Sequence, residues 1–223
     1  MFSDHPSRRV LAAICAAATA PIAAAVVLPV PTAAAQPCPD VEVVFARGTS
    51  EAPGVGRVGQ AFANALGAQL GGLSVGTYGV NYPASYDFLY TADGANDATN
   101  RIAVMAQQCP GTRIVLGGYS QGAAVVDMLA GVPPLGNKLG DIGSAPPLPG
   151  SLSSNVAAVA VFGNPATKFG NPVSASGSFA GKAIDLCANG DPICSDGRNP
   201  FAHTNYESSP SIAQAAGFAA GRI

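Results

Sequence analysis

Five short apolar runs, most of them rich in β-branched residues, alternate with stretches in which apolar residues recur at helical spacing. The runs occupy residues 41–46, 75–82, 113–117, 156–162 and 183–187, and the helical stretches occupy residues 58–70, 93–108, 122–129 and 211–222. Strands of nearly continuous apolar composition are typical of a parallel sheet with helices on both faces. The pattern predicts an α/β fold, a three-layer α/β/α sandwich with a central five-stranded parallel sheet. Its functional residues should follow the carboxyl ends of the strands.

The first 35 residues have the composition of an export signal. Arg8 and Arg9 precede an uncharged segment, residues 10–30, and three alanines end at residue 35. This arrangement predicts a secretory signal peptide over residues 1–35, and the paired arginines are also compatible with twin-arginine export. The uncharged segment is long enough to span a bilayer, but its alanine content and Pro21 favour cleavage over a retained anchor. We therefore expect a secreted protein, extracellular or cell-wall associated, with one domain over residues 36–223.

Four cysteines remain in the predicted mature chain: Cys38, Cys109, Cys187 and Cys194. In an exported protein an even number indicates two disulfides, with three pairings open, of which Cys187–Cys194 would close a short loop around Asp191. Because there is no CxxC pair and one histidine follows the signal, a zinc site is not expected, and neither is another metal or a cofactor. The net charge of −2 includes no basic cluster that could hold a phosphate backbone, which argues against nucleic acid as a partner.

The sequence Gly-Tyr-Ser-Gln-Gly at residues 118–122 is the candidate nucleophile motif. It lies between a predicted strand and a predicted helix, as a nucleophile elbow requires, so that Ser120 would stand at the end of the sheet. The alternative is a tight structural turn. A second GxSxG sequence at residues 72–76 contains Ser74, but there the helix comes before and the strand after, which indicates an ordinary turn. Ser120 is therefore the predicted nucleophile.

A serine nucleophile needs a base, and His203 is the one imidazole left after the signal. Asp185, Asp191 and Asp196 compete as the acid that orients it. Asp185 lies inside a predicted strand and Asp196 in a turn of solvated composition, whereas Asp191 lies at a strand terminus inside the Cys187–Cys194 loop, which favours Asp191. The chain order is then Ser, Asp, His, as in α/β-hydrolases. An oxyanion hole would combine the backbone N–H of Gln121 with Thr49, which follows the first strand.

These motifs resemble those of the cutinase family. The resemblance is carried by residues 117–123 (Gly-Gly-Tyr-Ser-Gln-Gly-Ala), residues 190–194 (Gly-Asp-Pro-Ile-Cys) and the downstream His203. Residues 43–49 and 81–84 are most similar to the exported actinobacterial, cutinase-like branch. The resemblance extends over the mature chain and implies a lidless α/β-hydrolase with Ser120, Asp191 and His203 as its triad. It also implies the pairs Cys38–Cys109 and Cys187–Cys194, and at the family's oxyanion serine this chain has Thr49.

Two apolar segments are candidates for substrate binding: Tyr86, Phe88 and Leu89 in one, and Phe201 in the other. If exposed they would contact acyl chains or a lipid interface, and otherwise they would pack in the core. We expect a monomeric serine esterase acting on small-molecule, lipid or polymer esters with short to medium acyl chains. The alternatives are a carbohydrate O-deacetylase similar to acetylxylan esterases, and a catalytically weak lipid- or wall-binding protein.

Overall fold

The computed structural model describes residue 1, residues 37–136 and residues 142–223. The predicted signal peptide, apart from Met1, lies outside the described residues and stays a prediction. The strands are β1 (Val41–Ala46), β2 (Val75–Gly79), β3 (Arg113–Tyr119), β4 (Val156–Phe162) and β5 (Ala183–Leu186). The helices are α1 (Gly56–Gln69), α2 (Thr91–Gln108), α3 (Gln121–Ala130), α4 (Gly150–Ser153), α5 (Pro165–Lys168), α6 (Pro200–Thr204) and α7 (Pro210–Ala220). Short 3₁₀ turns cover Phe88–Tyr90, Gly177–Phe179 and Tyr206–Ser208.

The five strands form one parallel sheet in the order β2-β1-β3-β4-β5. The predicted α/β architecture is therefore confirmed. From β1 the chain first adds β2 on one side and then crosses to add β3 on the other side. The loops that leave the carboxyl ends of β1 and β3 thus diverge, and such a position is where open α/β sheets form their sites.

Alternate side chains of β1 belong to two separate hydrophobic cores. Val41, Val43 and Phe45 pack on the face covered by α1 and α7. Val44 and Ala46 pack on the opposite face, which α2 and α3 cover. Since successive side chains of a strand point to opposite faces, a strand buried on both sides is largely apolar. All six residues of β1 are buried, and its one charged side chain, Glu42, forms an ion pair with Arg101.

The second strand is shorter than predicted. The apolar run extends over residues 75–82, but β2 ends at Gly79. Beyond it the buried guanidinium of Arg47 binds the chain, donating hydrogen bonds to the carbonyls of Val80 and Tyr82. The Arg47 side chain therefore takes up carbonyl groups that a longer strand would have offered to the sheet.

Both disulfides are present, Cys38–Cys109 and Cys187–Cys194. The first joins the segment before β1 to the end of α2, and the second closes the loop that follows β5. No helix within the described residues is both long enough and apolar enough to cross a membrane.

Candidate active site

Ser120 stands in a strained turn between β3 and α3. Its backbone has φ 56° and ψ −116°, a conformation that a residue with a side chain rarely adopts. The motif glycines make this turn possible. A Cβ on Gly118 would lie 2.1 Å from the carbonyl oxygen of Gly122, and one on Gly122 would lie 1.9 Å from the carbonyl oxygen of Ala46. Both positions therefore require glycine for close backbone approach, as a nucleophile elbow does.

The three residues of the predicted triad form a continuous hydrogen-bonded series. The Oγ of Ser120 lies 2.8 Å from Nε2 of His203, and Nδ1 of His203 lies 2.8 Å from Oδ2 of Asp191. His203 projects from α6, and Asp191 from the loop after β5. Asp191 is fully buried and the His203 side chain is 15% exposed, so the imidazole lies between a solvent-inaccessible carboxylate and the protein surface. Each nitrogen of the ring thus has the partner that a general base needs.

The Asp191 carboxylate accepts two further hydrogen bonds. The hydroxyl of Tyr206 donates to Oδ2 at 2.7 Å, and the amide of Ile193 donates to Oδ1 at 2.7 Å. Burial raises the pKa of Asp191, but the bonds from His203, Ile193 and Tyr206, with the charge of His203, together lower it below its ordinary value. Asp191 is therefore ionised at neutral pH and can stabilise an imidazolium.

The competing acids and the second motif serine have other partners. The carboxylate of Asp185 accepts hydrogen bonds from Asn164, Thr167 and two backbone amides, on the side of β5 away from the triad. Asp196 is exposed. Ser74 donates to the carboxylate of Asp40 at the start of β2, the end of the sheet opposite to Ser120. The structure thus brings together Ser120, Asp191 and His203 and leaves the alternatives apart.

Two tyrosines and a glycine enclose the imidazole. The hydroxyl of Tyr119 donates to the backbone carbonyl of His203 at 2.7 Å, and the two rings lie 5.2 Å apart between centroids. The ring of Tyr206 meets that of His203 edge to face at 6.3 Å. Burial, followed by the nearby charge of Glu51, raises the pKa of Tyr119 to about 12, so its hydroxyl stays a donor. A Cβ on Gly163 would lie 2.8 Å from Cε1 of His203.

The predicted oxyanion residues are adjacent. Thr49 follows β1, Gln121 is the first residue of α3, and the hydroxyl of Thr49 donates to Oε1 of Gln121 at 2.9 Å. The first amides of a helix have no intrahelical acceptor, so the N–H of Gln121 is free of the helix ladder. Arg47 stabilises the loop that carries Thr49, because its Nε donates a hydrogen bond to the carbonyl of Glu51.

A cleft of about 560 Å³ opens over Ser120. Its polar lining comes from Thr49, Ser120, Gln121, His203 and Thr204, and the remaining lining is apolar or aromatic: Tyr86, Phe88, Tyr119, Ala124, Leu135, Ile142, Pro165 and Ile193. Of the predicted binding residues, Tyr86 and Phe88 line the cleft. Leu89 and Phe201 are exposed, at 46% and 73%, but do not line it. A larger, shallower depression of about 970 Å³ lies beside Thr49 and contains none of the triad residues.

Sequence reasoning missed several residues around the triad. Tyr119 lies inside the recognised motif and Tyr206 only three positions after His203, so sequence proximity could have drawn attention to both. Gly163 gives no such signal, because its closeness to His203 arises from the packing of the loop after β4 against α6. The glycine is recognisable only once the two segments are seen together.

Comparisons with known proteins identify the family of this chain. The family model described as Cutinase matches residues 37–223. A relative named phospholipase Culp4, from Mycobacterium tuberculosis (strain ATCC 25618 / H37Rv), is 54% identical over 83% of this chain and 80% of its own length. A relative named carboxylesterase Culp1, from Mycobacterium bovis (strain ATCC BAA-935 / AF2122/97), is 45% identical over 84% of this chain and 83% of its own length.

Two solved structures are also similar. A Trichoderma reesei cutinase, bound to a phosphonate inhibitor, superimposes with a TM-score of 0.65 at 36% identity, covering 83% of this chain and 77% of its own. An acetyl xylan esterase superimposes with a TM-score of 0.70 at 26% identity, covering 83% of this chain and 99% of its own. The family match begins at Pro37, next to Cys38, extends to Ile223, and includes every residue of the candidate site. The chain belongs to the cutinase family of carboxylic ester hydrolases.

Proposed function

We propose that this protein is a secreted, monomeric serine esterase that hydrolyses carboxylic esters through an acyl-enzyme intermediate, with Ser120, His203 and Asp191 as its triad. The observation that carries the proposal is the hydrogen-bonded series from Ser120 through His203 to buried Asp191. A complete site within one chain requires no second copy. Two disulfides support an exported protein, because such bonds persist in oxidising compartments.

In the first half-reaction, Nε2 of His203 accepts the proton of the Ser120 hydroxyl while Oγ attacks the ester carbonyl carbon. The carbonyl oxygen becomes an oxyanion, which accepts hydrogen bonds from the backbone amides of Thr49 and Gln121. Collapse breaks the bond to the alcohol oxygen, and His203 returns its proton to that oxygen. Asp191 holds Nδ1 and stabilises the imidazolium while it exists.

In the second half-reaction, water replaces the alcohol. The oxygen of the water attacks the acyl carbon while His203 accepts a proton from the water. The second oxyanion accepts hydrogen bonds from the same two amides. Collapse breaks the bond to Ser120 Oγ, which recovers its proton from His203, and the carboxylic acid leaves. Nothing in this sequence of steps draws on a group outside the chain other than the ester and water.

The cleft supports short to medium acyl esters, lipids or polyesters as substrates. Its walls are largely apolar, and Tyr86 at its mouth is 78% exposed. Phe201, outside the lining but also exposed, would extend this apolar rim toward a lipid or polymer surface. Each buried methylene is worth about 0.8 kcal/mol, so a lengthening acyl chain should gain about fourfold in kcat/KM per methylene until the cleft is full.

A carbohydrate O-deacetylase is the second candidate, favoured by the similarity to the acetyl xylan esterase. The two functions differ in their response to chain length. Acetyl, butyryl and octanoyl esters of p-nitrophenol, assayed on the purified mature protein, separate them. A lipid or polyester hydrolase prefers butyryl or octanoyl, whereas a deacetylase prefers acetyl and rejects the longer chains.

The catalytic assignment is tested by two matched serine substitutions. Ser120→Ala should abolish turnover of p-nitrophenyl butyrate and leave the circular dichroism spectrum unchanged. Ser74→Ala removes the serine of the other GxSxG sequence, at the opposite end of the sheet, and should leave kcat near that of the unsubstituted protein. Turnover that survives in Ser120→Ala, or that disappears in folded Ser74→Ala, would refute the assignment.

A further inference from the structure

The side chain of Gln121 has no role in the reaction as described, yet it is held at both ends. Its Oε1 accepts the hydroxyl of Thr49 at 2.9 Å, and its Nε2 donates to the hydroxyl oxygen of Thr91 at 3.0 Å. The three residues come from three separate parts of the fold: the loop after β1, the start of α3 and the start of α2. Thr91 is fully buried and Gln121 is 4% exposed, so the bond between these two side chains is shielded from water.

Thr91 is the rigid end of this series. Its backbone amide donates to the carbonyls of Leu89 and Phe88, and it is the first residue of the eighteen-residue helix α2. Its β-branched side chain has few rotamers about χ1 and is fully buried, so packing holds its hydroxyl oxygen in place. A glutamine side chain, by contrast, has several rotatable bonds and stays in one conformation only if its amide is held.

The other end of the series is the residue whose position matters for catalysis. Thr49 lies in a loop where the next residue, Ser50, has a positive φ of 64°. The bond from the Thr49 hydroxyl to Gln121 links this loop to the helix that begins directly after Ser120. A residue that holds the Gln121 side chain in place therefore also fixes the position of Thr49 relative to α3.

We propose that Thr91 is a positioning residue for the oxyanion hole: by holding the side chain of Gln121, it holds Thr49 so that the amides of Thr49 and Gln121 face the same developing oxyanion. This inference rests on the proposed function. Thr91 contacts neither substrate nor reacting atoms. Its contribution is to orient donors before the substrate arrives, so it acts on the transition state more than on the bound ester.

The expected consequence of removing the Thr91 hydroxyl is a loss of kcat without a loss of substrate affinity. Thr91→Val keeps the shape of the side chain and removes the acceptor of Nε2. Deleting a whole oxyanion donor costs about 10²- to 10³-fold in kcat, so loosening a donor that remains present should cost about tenfold. KM for p-nitrophenyl butyrate should stay within about twofold, because the ground-state ester makes little use of these donors.

The experiment compares kcat, KM and the inhibition constant of butylboronic acid. This inhibitor forms a bond between boron and Ser120 Oγ, with the proton passing to His203, and presents an oxygen where the oxyanion would lie. Thr91→Val should weaken boronate inhibition by the same factor as kcat, and Thr91→Ser, which keeps the hydroxyl, should restore both to within about threefold. Thr112→Val is the matched control, because it removes a buried threonine hydroxyl that donates to Pro39 at the far end of the sheet.

A double-substitution cycle tests whether the three residues act in series. In a Thr49→Val background the hydroxyl that Gln121 holds is already gone, so adding Thr91→Val should lower kcat less than about twofold further. If Thr91→Val is not recovered folded, Thr91→Ala removes the same hydroxyl with a smaller side chain.

The outcomes separate this inference from the proposed function. Unchanged kcat and boronate inhibition in folded Thr91→Val, failure of Thr91→Ser to restore them, or fully additive losses in the double variant would each overturn the role of Thr91. Absence of esterase activity in the unsubstituted protein would instead refute the proposed function itself.

Discussion

Replacing Tyr206 by phenylalanine removes one oxygen atom from beneath the triad and leaves the aromatic ring in place. That oxygen donates to Oδ2 of Asp191 at 2.7 Å and accepts the amide of Ala188 at 2.8 Å. Tyr206 and Asp191 are both fully buried. A buried hydrogen bond to a charged group is worth about 1.5–3 kcal/mol, so Tyr206→Phe should lower the free energy of unfolding by about 2 kcal/mol. For a domain of this size the expected fall in Tm is about 4–8 °C.

The loss should depend on pH because the bond acts on an ionised carboxyl. Burial raises the pKa of Asp191, but hydrogen bonds, among them that of Tyr206, lower it below its ordinary value of 3.8. A carboxyl whose pKa is lowered by folding stabilises the protein above its unfolded pKa, and this contribution is lost as the pH falls through the folded value. The difference in Tm between the variant and the unsubstituted protein should thus be greatest at pH 5–8 and narrow below about pH 4.

The same substitution should lower kcat/KM by about tenfold, because Asp191 would orient His203 with one fewer support. Differential scanning fluorimetry from pH 3 to 8 and turnover of p-nitrophenyl butyrate measure the two effects. Tyr78→Phe is the matched control, since its hydroxyl also contacts a carboxylate, that of Asp97, but in β2 away from the site. An equal loss of Tm at pH 3 and pH 7, or kcat/KM within twofold of the unsubstituted protein, would refute the reasoning.

Two further predictions concern Gly163, which lies against His203, and Asp127, a buried carboxyl in α3. Gly163→Ala would place a Cβ 2.8 Å from Cε1 of His203 at a φ of 58°, so kcat should fall more than about 100-fold with the secondary structure retained; near-normal turnover would contradict this. Asp127 is fully buried, and burial, with the charge of Asp185 adding to it and a hydrogen bond from Asn164 opposing it, raises its pKa well above the ordinary value. A buried carboxyl with a raised pKa destabilises the fold progressively as the pH rises above its unfolded pKa. The Tm of Asp127→Asn, measured relative to the unsubstituted protein, should therefore increase between pH 4 and 8. A difference in Tm that stays constant over this range would refute the prediction.

The sheet could be predicted from the sequence because β1, β3 and β4 are buried on both faces and are apolar over most of their length. Where a polar long-range contact decides the structure, the apolar pattern is insufficient. Strand β2 ends before its apolar run does, because Arg47 binds the carbonyls of Val80 and Tyr82. No local property of residues 75–82 carries that information.

The candidate triad could be predicted because chemistry leaves few choices: one imidazole follows the signal, and one of the two motif serines has the required strand–helix context. The residues that support the triad could not be predicted from the sequence. Tyr206 and Gly163 matter only through contacts made by folding, and apolar composition alone placed Leu89 and Phe201 with Tyr86 and Phe88, although only the latter pair lines the cleft. Exposure and cleft lining depend on side-chain direction, which the residue type does not determine.

The most direct test of the account is covalent labelling with a fluorophosphonate, followed by mass analysis of the digested protein. The reagent loses fluoride as Ser Oγ bonds to phosphorus, and a lone activated serine should take up one equivalent. We predict a single adduct on the peptide that contains Ser120, abolished in Ser120→Ala and slowed strongly in His203→Gln. An adduct on any other serine, or labelling of Ser120 at an undiminished rate without the imidazole, would contradict the claim that His203 activates this hydroxyl.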